Sequence, residues 1–359
     1  MAFNIEQFLA WPYLTGIIEA VKTGVPDVLP PGFLTGTMKV EGDSGRYTEY
    51  SGTRTVSKRT EYGSPSVNRA LSAISERDVK LYHSKENIVL NPLLYQRMRR
   101  YSEPAQQKMG QEEVERQLKQ FRAVFDNTRL SMVYSMLATG QISWDSDRDL
   151  LPSSSGAQVT VDFGVSANHQ NQLNGIIGAS WATNSTDIIG DIIAIRKQSV
   201  QDTGYQIECA FYGQNVSEYI ASNDVAQAFM ARNSSFNDRF LNSGLIPDGF
   251  GGIKKWFPVF DAFYVDGDGT TREWFGGDTV VFTPDPSAGW YEMLEGSYLV
   301  PKSFGPSTAQ APFANVDQVY GMFSYATLEN DPLTAKIIYG DTCLPVQKVD
   351  CNFIADVTP

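Results

Sequence analysis

The sequence is poor in the residues that build metal and redox sites. Its 359 residues include three cysteines without a CxxC pair, Cys209, Cys343 and Cys351, and two distant histidines, His83 and His169. Structural zinc sites need several Cys or His ligands at short spacings, so we expect no metal site, and no motif indicates a cofactor. Cys343 and Cys351 are separated by sequence that favours extended chain, so we expect all three cysteines to remain thiols.

The chain also lacks a long hydrophobic run and an excess of basic residues. Its apolar start, MAFNIEQFLAWPYLTG, contains Glu6 and Pro12 and precedes the first basic residue, Lys22. This stretch predicts neither a signal peptide nor a membrane span. The formal net charge is −12 and the pI is ≈ 4.7, which disfavours a broad surface for phosphate backbones. We therefore expect an intracellular origin, no membrane partner and only non-specific contact with DNA.

No motif has the spacing that catalysis needs. GASWA resembles a nucleophile elbow around Ser180, but the second glycine of that motif is missing. FDAFYVDGDGTTREWF offers Asp266, Asp268 and Glu273 as oxygen ligands, yet no Glu stands at the twelfth position of a calcium loop. Its Asp-Gly dipeptides lie between two aromatic runs and predict a hairpin instead. We expect no catalytic residue.

What the sequence does contain is a strong helical pattern between Gly110 and Gly140. Acidic residues crowd the first turns, and Gly140 supplies a C-terminal stop. The helix can also begin earlier, with Ser102 as its N-cap and Pro104 in its first turn. Gly110 would then lie inside a longer helix. Apolar residues recur at steps of three and four, with Thr128 filling one gap, and predict a buried stripe on one helix face: Val114, Leu118, Phe121, Phe125, Met132 and Met136.

Two segments before this helix cannot easily form a hydrophobic core of their own. Residues 1–37 are apolar but broken by Pro and Gly, which suggests an arm on another surface or, equally, a strand and helix tucked into the parent domain. Residues 38–64 favour strands between glycine turns and predict a projecting two-stranded loop. Because a lone hairpin is marginally stable, it either rests on a partner such as another subunit or stays solvated.

Basic residues in this loop are the candidate assembly interface. Arg54, Val56 and Lys58 would share one face of a strand, with Arg59 on the other, because alternate residues of a strand share a side. One basic face can then meet an acidic neighbour, and the chain offers many acidic surfaces at its net charge.

The remainder predicts a mixed α/β body, and 42% hydrophobic residues are enough for real cores. VTVDFGV (159–165) alternates as a strand, and a helix capped by Ser185 or Thr186 runs to a stop at Gly204. A strand, QIECAFYG, and a second helix, NVSEYIASNDVAQAFMARN, follow. Short strands and turns fill 245–330, and KIIYGDTCLPVQKVDCNFIADV closes the chain with strand character.

This order of elements resembles the major capsid protein family of tailed bacteriophages, of lambda-like E type with the Hong Kong 97-type coat fold. The resemblance is carried by FRAVFDNTRLSMVYSMLATGQI (121–142), by VTVDFGV and by the run from Trp181 to Ile193, in which a Trp precedes an acidic helix with an Asp-Ile pair. Family members often have Pro after Ala-Asp in that helix, whereas this chain has Thr-Asp-Ile-Ile-Gly-Asp. The match is therefore one of pattern, and it is clearest across residues 100–235.

The resemblance implies an α+β tailed-phage coat fold built from five parts. These are an N-terminal arm (1–37), an extended loop and its base (38–100), a peripheral domain with the spine helix (101–180), an axial mixed α/β domain (181–332) and return strands of the peripheral domain (333–359). In that family the axial domain faces the centre of hexamers and pentamers, and the extended loop lies across a neighbouring subunit.

The function implied is that of a major capsid (head) protein, which self-assembles in the host cytoplasm into the icosahedral shell that encloses phage double-stranded DNA in the virion. Scaffolding, portal and decoration proteins are further candidate partners. Two other classes are compatible with the residues alone. A phage tail or receptor-binding module would form no closed assembly, and an intracellular enzyme with an unrecognised site would form a small oligomer.

Overall fold

The computed structural model describes residues 9–20, 29–30, 32–50, 74–90, 104–145, 150–152, 154–170, 175–232, 238, 240, 243–260, 262–265, 269–301, 316–330 and 333–358. The helices are α1 (Trp11–Ala20), α2 (Pro104–Thr139), α3 (Ile188–Thr203), α4 (Val216–Ser222) and α5 (Asp224–Ala231).

The strands are distributed along the whole described chain. In chain order they are β1 (Thr37–Val40), β2 (Ser44–Tyr50), β3 (Ile74–Lys80), β4 (Tyr82–Leu90), β5 (Gln141–Trp144), β6 (Leu150–Leu151), β7 (Val159–Asp162), β8 (Cys209–Tyr212), β9 (Lys255–Pro258), β10 (Phe263–Val265), β11 (Thr271–Glu273), β12 (Thr279–Thr283), β13 (Tyr291–Pro301), β14 (Val316–Tyr320), β15 (Phe323–Asn330), β16 (Leu333–Gln347) and β17 (Phe353–Asp356).

Helix α2 is the long helix that the apolar pattern predicts, and it begins at the earlier of the two possible starts. It has 36 residues, which corresponds to about 54 Å at 1.5 Å per residue, and Gly110 lies inside it. Gly140 ends it with a positive φ of 69°. A Cβ at this position would lie 2.6 Å from Cγ2 of Val165, so only glycine fits where the chain turns into β5.

The largest sheet in the described part of the chain is built around β16. This strand pairs antiparallel with β4, β13 and β15, and β1 adds to β13 in parallel. Helix α2 packs across this sheet, since the Phe121 ring stacks on that of Tyr339 in β16. Helix α1 packs on β15, where Oγ1 of Thr15 donates to the carbonyl of Ser324 and accepts from its N–H.

A second sheet, of order β17-β12-β8-β9, carries helices α3 to α5. Asp187 itself caps α3, because its carboxylate accepts from the N–H of Gly190. The predicted cap at Ser185 or Thr186 is wrong, since the hydroxyl of Thr186 donates to the carbonyl of Ser180. The single helix predicted after β8 is also wrong. It breaks at Asn223, whose side chain accepts from the N–H of Ala226 and starts α5.

Strand pairing departs from the domain boundary expected at residue 332. Strands β13, β14 and β15 lie before that boundary, yet they belong to the large sheet around β16. Strand β17 lies after it and pairs with β12 of the second sheet. The chain bends between Lys348 and Asp350, and so passes from β16 of one sheet to β17 of the other. The five domain limits stay predictions.

The three cysteines are free, as predicted, and all three are buried. Burial raises the pKa of all three thiols, that of Cys209 to about 11. Pro345 lies within β16 opposite Met293, and the chain between Cys343 and Cys351 turns at Lys348 to Asp350. Buried, protonated thiols react slowly, because the thiolate is the nucleophile.

Candidate assembly surfaces

The described start of the chain lies on the chain's own body. Leu9, Leu14 and Ile18 are fully buried, in one cluster with Leu118 and Phe125 of α2. The indole N–H of Trp11 donates to the carboxylate of Asp317 at 3.1 Å. Residues 9–20 therefore pack on the parent domain, which is the second of the two predicted alternatives. The residues before Leu9 lie outside the described part of the chain.

The predicted stripe of α2 faces two different cores. Val114, Leu118 and Phe125 lie in the cluster with α1, whereas Met132 and Met136 lie in a second cluster with strands of the large sheet. These five side chains are buried. Phe121 is only partly buried, although its ring centroid lies 3.8 Å from that of Tyr339. Helix α2 thus packs against α1 with the first part of its stripe and against strands of the large sheet with the last part.

Phe121→Ala is expected to destabilise the subunit by about 1 to 3 kcal/mol, less than a fully buried Phe truncation, because part of the ring is already exposed. The midpoint of urea unfolding, followed by circular dichroism, measures the loss. Val124→Ala is the matched control, since Val124 lies on the same helix and is 44% exposed. A midpoint for Phe121→Ala no lower than that of the control would mean that the Tyr339 contact contributes nothing.

Sequence reasoning missed a buried ion network at Arg129. Its guanidinium donates to both carboxylate oxygens of Asp341, at 2.7 and 2.8 Å, and to Glu295 at 3.3 and 3.4 Å. Burial alone would lower the pKa of Arg129, but the two carboxylates raise it well above its usual range. A signal was present: position 129 is four residues after Phe125 and three before Met132, so Arg129 fits the gap in the stripe as well as Thr128 does.

The Trp that precedes the acidic helix holds that helix in place. Trp181 is fully buried, and its indole N–H donates to Asp191 in α3 at 2.9 Å. Burial raises the pKa of Asp191, while the hydrogen bond from Trp181 opposes that rise. The backbone N–H of Trp181 donates to the carbonyl of Val357. One residue therefore ties α3 to the end of the chain.

The second of the two histidines, His169, has a structural role. His169 is 1% exposed, and its ring nitrogens lie 3.5 Å from Asp202 at the end of α3 and 3.4 Å from Asp350 in the bend between the sheets. Among the described residues no three His, Cys, Asp or Glu side chains gather as a metal site. His169 therefore links the end of α3 to the bend between the two sheets.

The base of the predicted loop is a paired hairpin. Strands β2 and β3 are antiparallel in register from Ser44↔Lys80 to Tyr50↔Ile74. Tyr47 and Val79 are buried and anchor the pair to the large core, while the side chain of Arg77 donates to Glu49 at 2.6 Å. The residues between, 51–73, lie outside the described part of the chain, and with them the four candidates Arg54, Val56, Lys58 and Arg59.

A second hairpin confirms the prediction from the Asp-Gly dipeptides. Strands β10 and β11 pair antiparallel, with Phe263 opposite Glu273 and Val265 opposite Thr271. Phe263 is 45% and Val265 65% exposed.

None of the described helices combines the length and apolar character needed to cross a lipid bilayer.

The family model of the phage major capsid protein E matches residues 11–295, and the chain belongs to this family. It is a structural protein of a phage capsid, with the coat fold that the order of its elements predicts.

Solved structures of phage origin resemble the chain at low identity. A capsid protein of a prophage of E. coli CFT073, described as putative, is 14% identical, covers 79% of each chain and has a TM-score of 0.48. A phage-related protein from Bordetella bronchiseptica RB50 is 10% identical, with 96% of each chain covered and a TM-score of 0.49. The mature capsid of bacteriophage PhiM1 is 11% identical, covering 94% of this chain and 89% of that one, with a TM-score of 0.43. No curated protein matches.

Proposed function

We propose that this chain is the major head protein of a tailed phage and self-assembles into hexamers and pentamers of an icosahedral shell around double-stranded DNA. The observation that carries the proposal is the family match over residues 11–295, which spans the whole of α2 and most of the second sheet. Assembly takes place in the host cytoplasm, with scaffolding, portal and decoration proteins as partners. The chain acts as a structural subunit of the shell and carries no catalytic activity of its own.

In this proposal the large sheet with α2 forms the peripheral domain, and the second sheet with α3 to α5 forms the axial domain. The loop between β2 and β3 reaches a neighbouring subunit through Arg54, Val56, Lys58 and Arg59. The acidic balance of −12 suits a container for DNA, because a negative wall reduces non-specific binding of the packaged polyanion.

Expression of the full chain, followed by sedimentation and negative-stain microscopy, tests the proposal. We expect shells, sheets or capsomers, alone or with the assembly proteins encoded by the same phage. A population that remains monomeric even with those proteins supplied contradicts it. A small closed oligomer with catalytic turnover would favour an enzyme, and sugar or receptor binding without closed particles would favour a tail module.

A further inference from the structure

His169 has a buried ring nitrogen without a hydrogen-bond partner. Nδ1 of the ring lies 3.4 Å from Oδ1 of Asp350, within hydrogen-bond distance. Nε2 lies 3.5 Å from Oδ2 of Asp202, a distance typical of an ion pair, but it is buried and makes no hydrogen bond. Buried polar atoms of folded proteins nearly always have a partner, so this nitrogen requires an explanation.

The two carboxylates beside the imidazole are held in place by other bonds. Oδ2 of Asp350 accepts from the backbone N–H of Ser166 at 3.0 Å. Oδ2 of Asp202 accepts from the side-chain amide of Gln198 at 2.7 Å. Strand β17 contributes an uncharged neighbour, the ring of Phe353, whose centroid lies 6.3 Å from that of the imidazole. The imidazole therefore lies between two fixed negative charges, one from α3 and one from the bend between the sheets.

A neutral imidazole cannot donate to both carboxylates. It has one N–H donor and one acceptor nitrogen, so when Nδ1–H donates to Asp350 the lone pair of Nε2 faces an oxygen of Asp202. A second proton, taken from solvent, turns Nε2 into a donor, and both carboxylates then favour the charged ring. Burial opposes this charge, because it removes water from the cation. The carboxylate side chains are 27% and 25% exposed, so each keeps part of its hydration while it faces the ring.

We propose that His169 is a pH-sensitive switch that links the end of α3 to the bend between the two sheets. Histidine ordinarily titrates near pH 6.5, so acid conditions supply the second proton and form the bond to Asp202, while the bond to Asp350 persists. As the pH rises the proton leaves Nε2, and the link to α3 is lost. The switch acts within one subunit, so it does not depend on whether the chain forms a shell.

Melting temperatures of the dispersed parent chain and of His169→Gln, each at pH 5.5 and at pH 8, test the switch. Glutamine stays neutral at both pH values, so the variant lacks the bond that forms in acid. We expect it to lower the melting temperature by about 2 to 4 °C more at pH 5.5 than at pH 8. His83→Gln is the matched control, because Nδ1 of His83 lies 2.7 Å from the neutral hydroxyl of Thr342. Equal losses for His169→Gln at the two pH values would overturn the inference.

Protonation of the ring can also be observed directly, even if His169→Gln fails to fold. The chain has two histidines, so with isotope-labelled histidine the His83→Gln variant gives one ring signal in nuclear magnetic resonance, that of His169. We expect its Cε1–H shift to change between pH 8 and pH 5.5. Adding Asp202→Asn removes one of the two charges, so the same change should require a more acidic solution. A signal that does not change, or one that Asp202→Asn leaves unaltered, would show that the switch does not exist.

Discussion

Arg129→Met is expected to lower the free energy of unfolding by about 3 to 5 kcal/mol, the usual cost of breaking a buried ion pair from one side. The substitution keeps most of the side-chain volume and removes only the charge. Asp341 and Glu295 are then left in the interior without their cation. Their side chains are 4% and 16% exposed, so water replaces the lost partner poorly.

The size of this effect follows from the position of the network in the fold. Arg129 lies on α2, Asp341 on β16 and Glu295 on β13, so the guanidinium joins the spine helix to two adjacent strands of the large sheet. The substitution therefore removes the bonds from the helix to both strands together. The thiol of Cys343 donates to Asp341, but a weak neutral donor cannot compensate a buried carboxylate.

Chemical denaturation of the isolated subunit measures the loss, provided that the slope of the unfolding transition is unchanged. Arg116→Met is the matched control on the same helix. Arg116 pairs with Glu113, but its side chain is 59% exposed, so we expect no resolvable change in the midpoint. An Arg129→Met midpoint as high as that of the parent would show that the buried network contributes nothing.

A compensating variant separates charge from packing. Arg129→Met combined with Asp341→Asn and Glu295→Gln removes both unpaired charges, so it should recover part of the loss seen in Arg129→Met alone. If the triple variant is instead less stable than the single one, the carboxylates stabilise the fold through contacts other than Arg129.

The sequence predicts the local features of this fold well, because their causes are local. The stripe on α2, the stop at Gly140 and the hairpin at the Asp-Gly dipeptides follow from spacing and turn chemistry within a few residues. The cap at Asp187 was missed by one or two positions, since three polar residues in a row can each accept a backbone N–H. The bond from the N–H of Gly190 to the carboxylate of Asp187 decides between them, while Thr186 donates to the carbonyl of Ser180.

A single sequence does not predict which distant strands pair or which distant side chains meet. Nothing in the residues of β17 indicates that it pairs with β12, more than seventy positions earlier, because the pattern of a short strand does not specify its partner. Arg129 shows the same limit in a side chain. Its position in an apolar stripe marks it as unusual, but its partners on β13 and β16 become visible only when the sheet is assembled.

The candidate loop residues were chosen for their charge, and the structure changes which neighbours are available to them. Glu112 and Glu113, two acidic groups near the start of α2, already pair with Lys108 and Arg116 of the same helix. Their charges are partly compensated within the subunit, so they attract a basic loop less than the sequence alone suggests. An acidic surface elsewhere on the neighbour is the better acceptor.

Arg54→Glu with Lys58→Glu is expected to abolish complete particles while leaving a soluble, cooperatively unfolding subunit. An exposed ion pair contributes only about 0 to 1 kcal/mol, so reversing two loop charges should hardly change the stability of one subunit. In a closed shell the same contact recurs at every copy, and each weak attraction becomes a repulsion. Lys254→Glu with Lys255→Glu, a reversal of equal charge at two exposed positions outside the loop, is the control.

Salt dependence distinguishes an electrostatic contact from a purely geometric one. The Debye length falls from about 10 Å at 0.1 M salt to about 3 Å at 1 M, so high salt should shorten the repulsion and restore part of the assembly of the double variant. Sedimentation at low and high salt, with microscopy of the pelleted material, measures both effects. If the double variant assembles as well as the parent at low salt, the loop does not act through its charges. Its contacts with the neighbour must then be backbone pairing between strands or apolar packing, as around Val56.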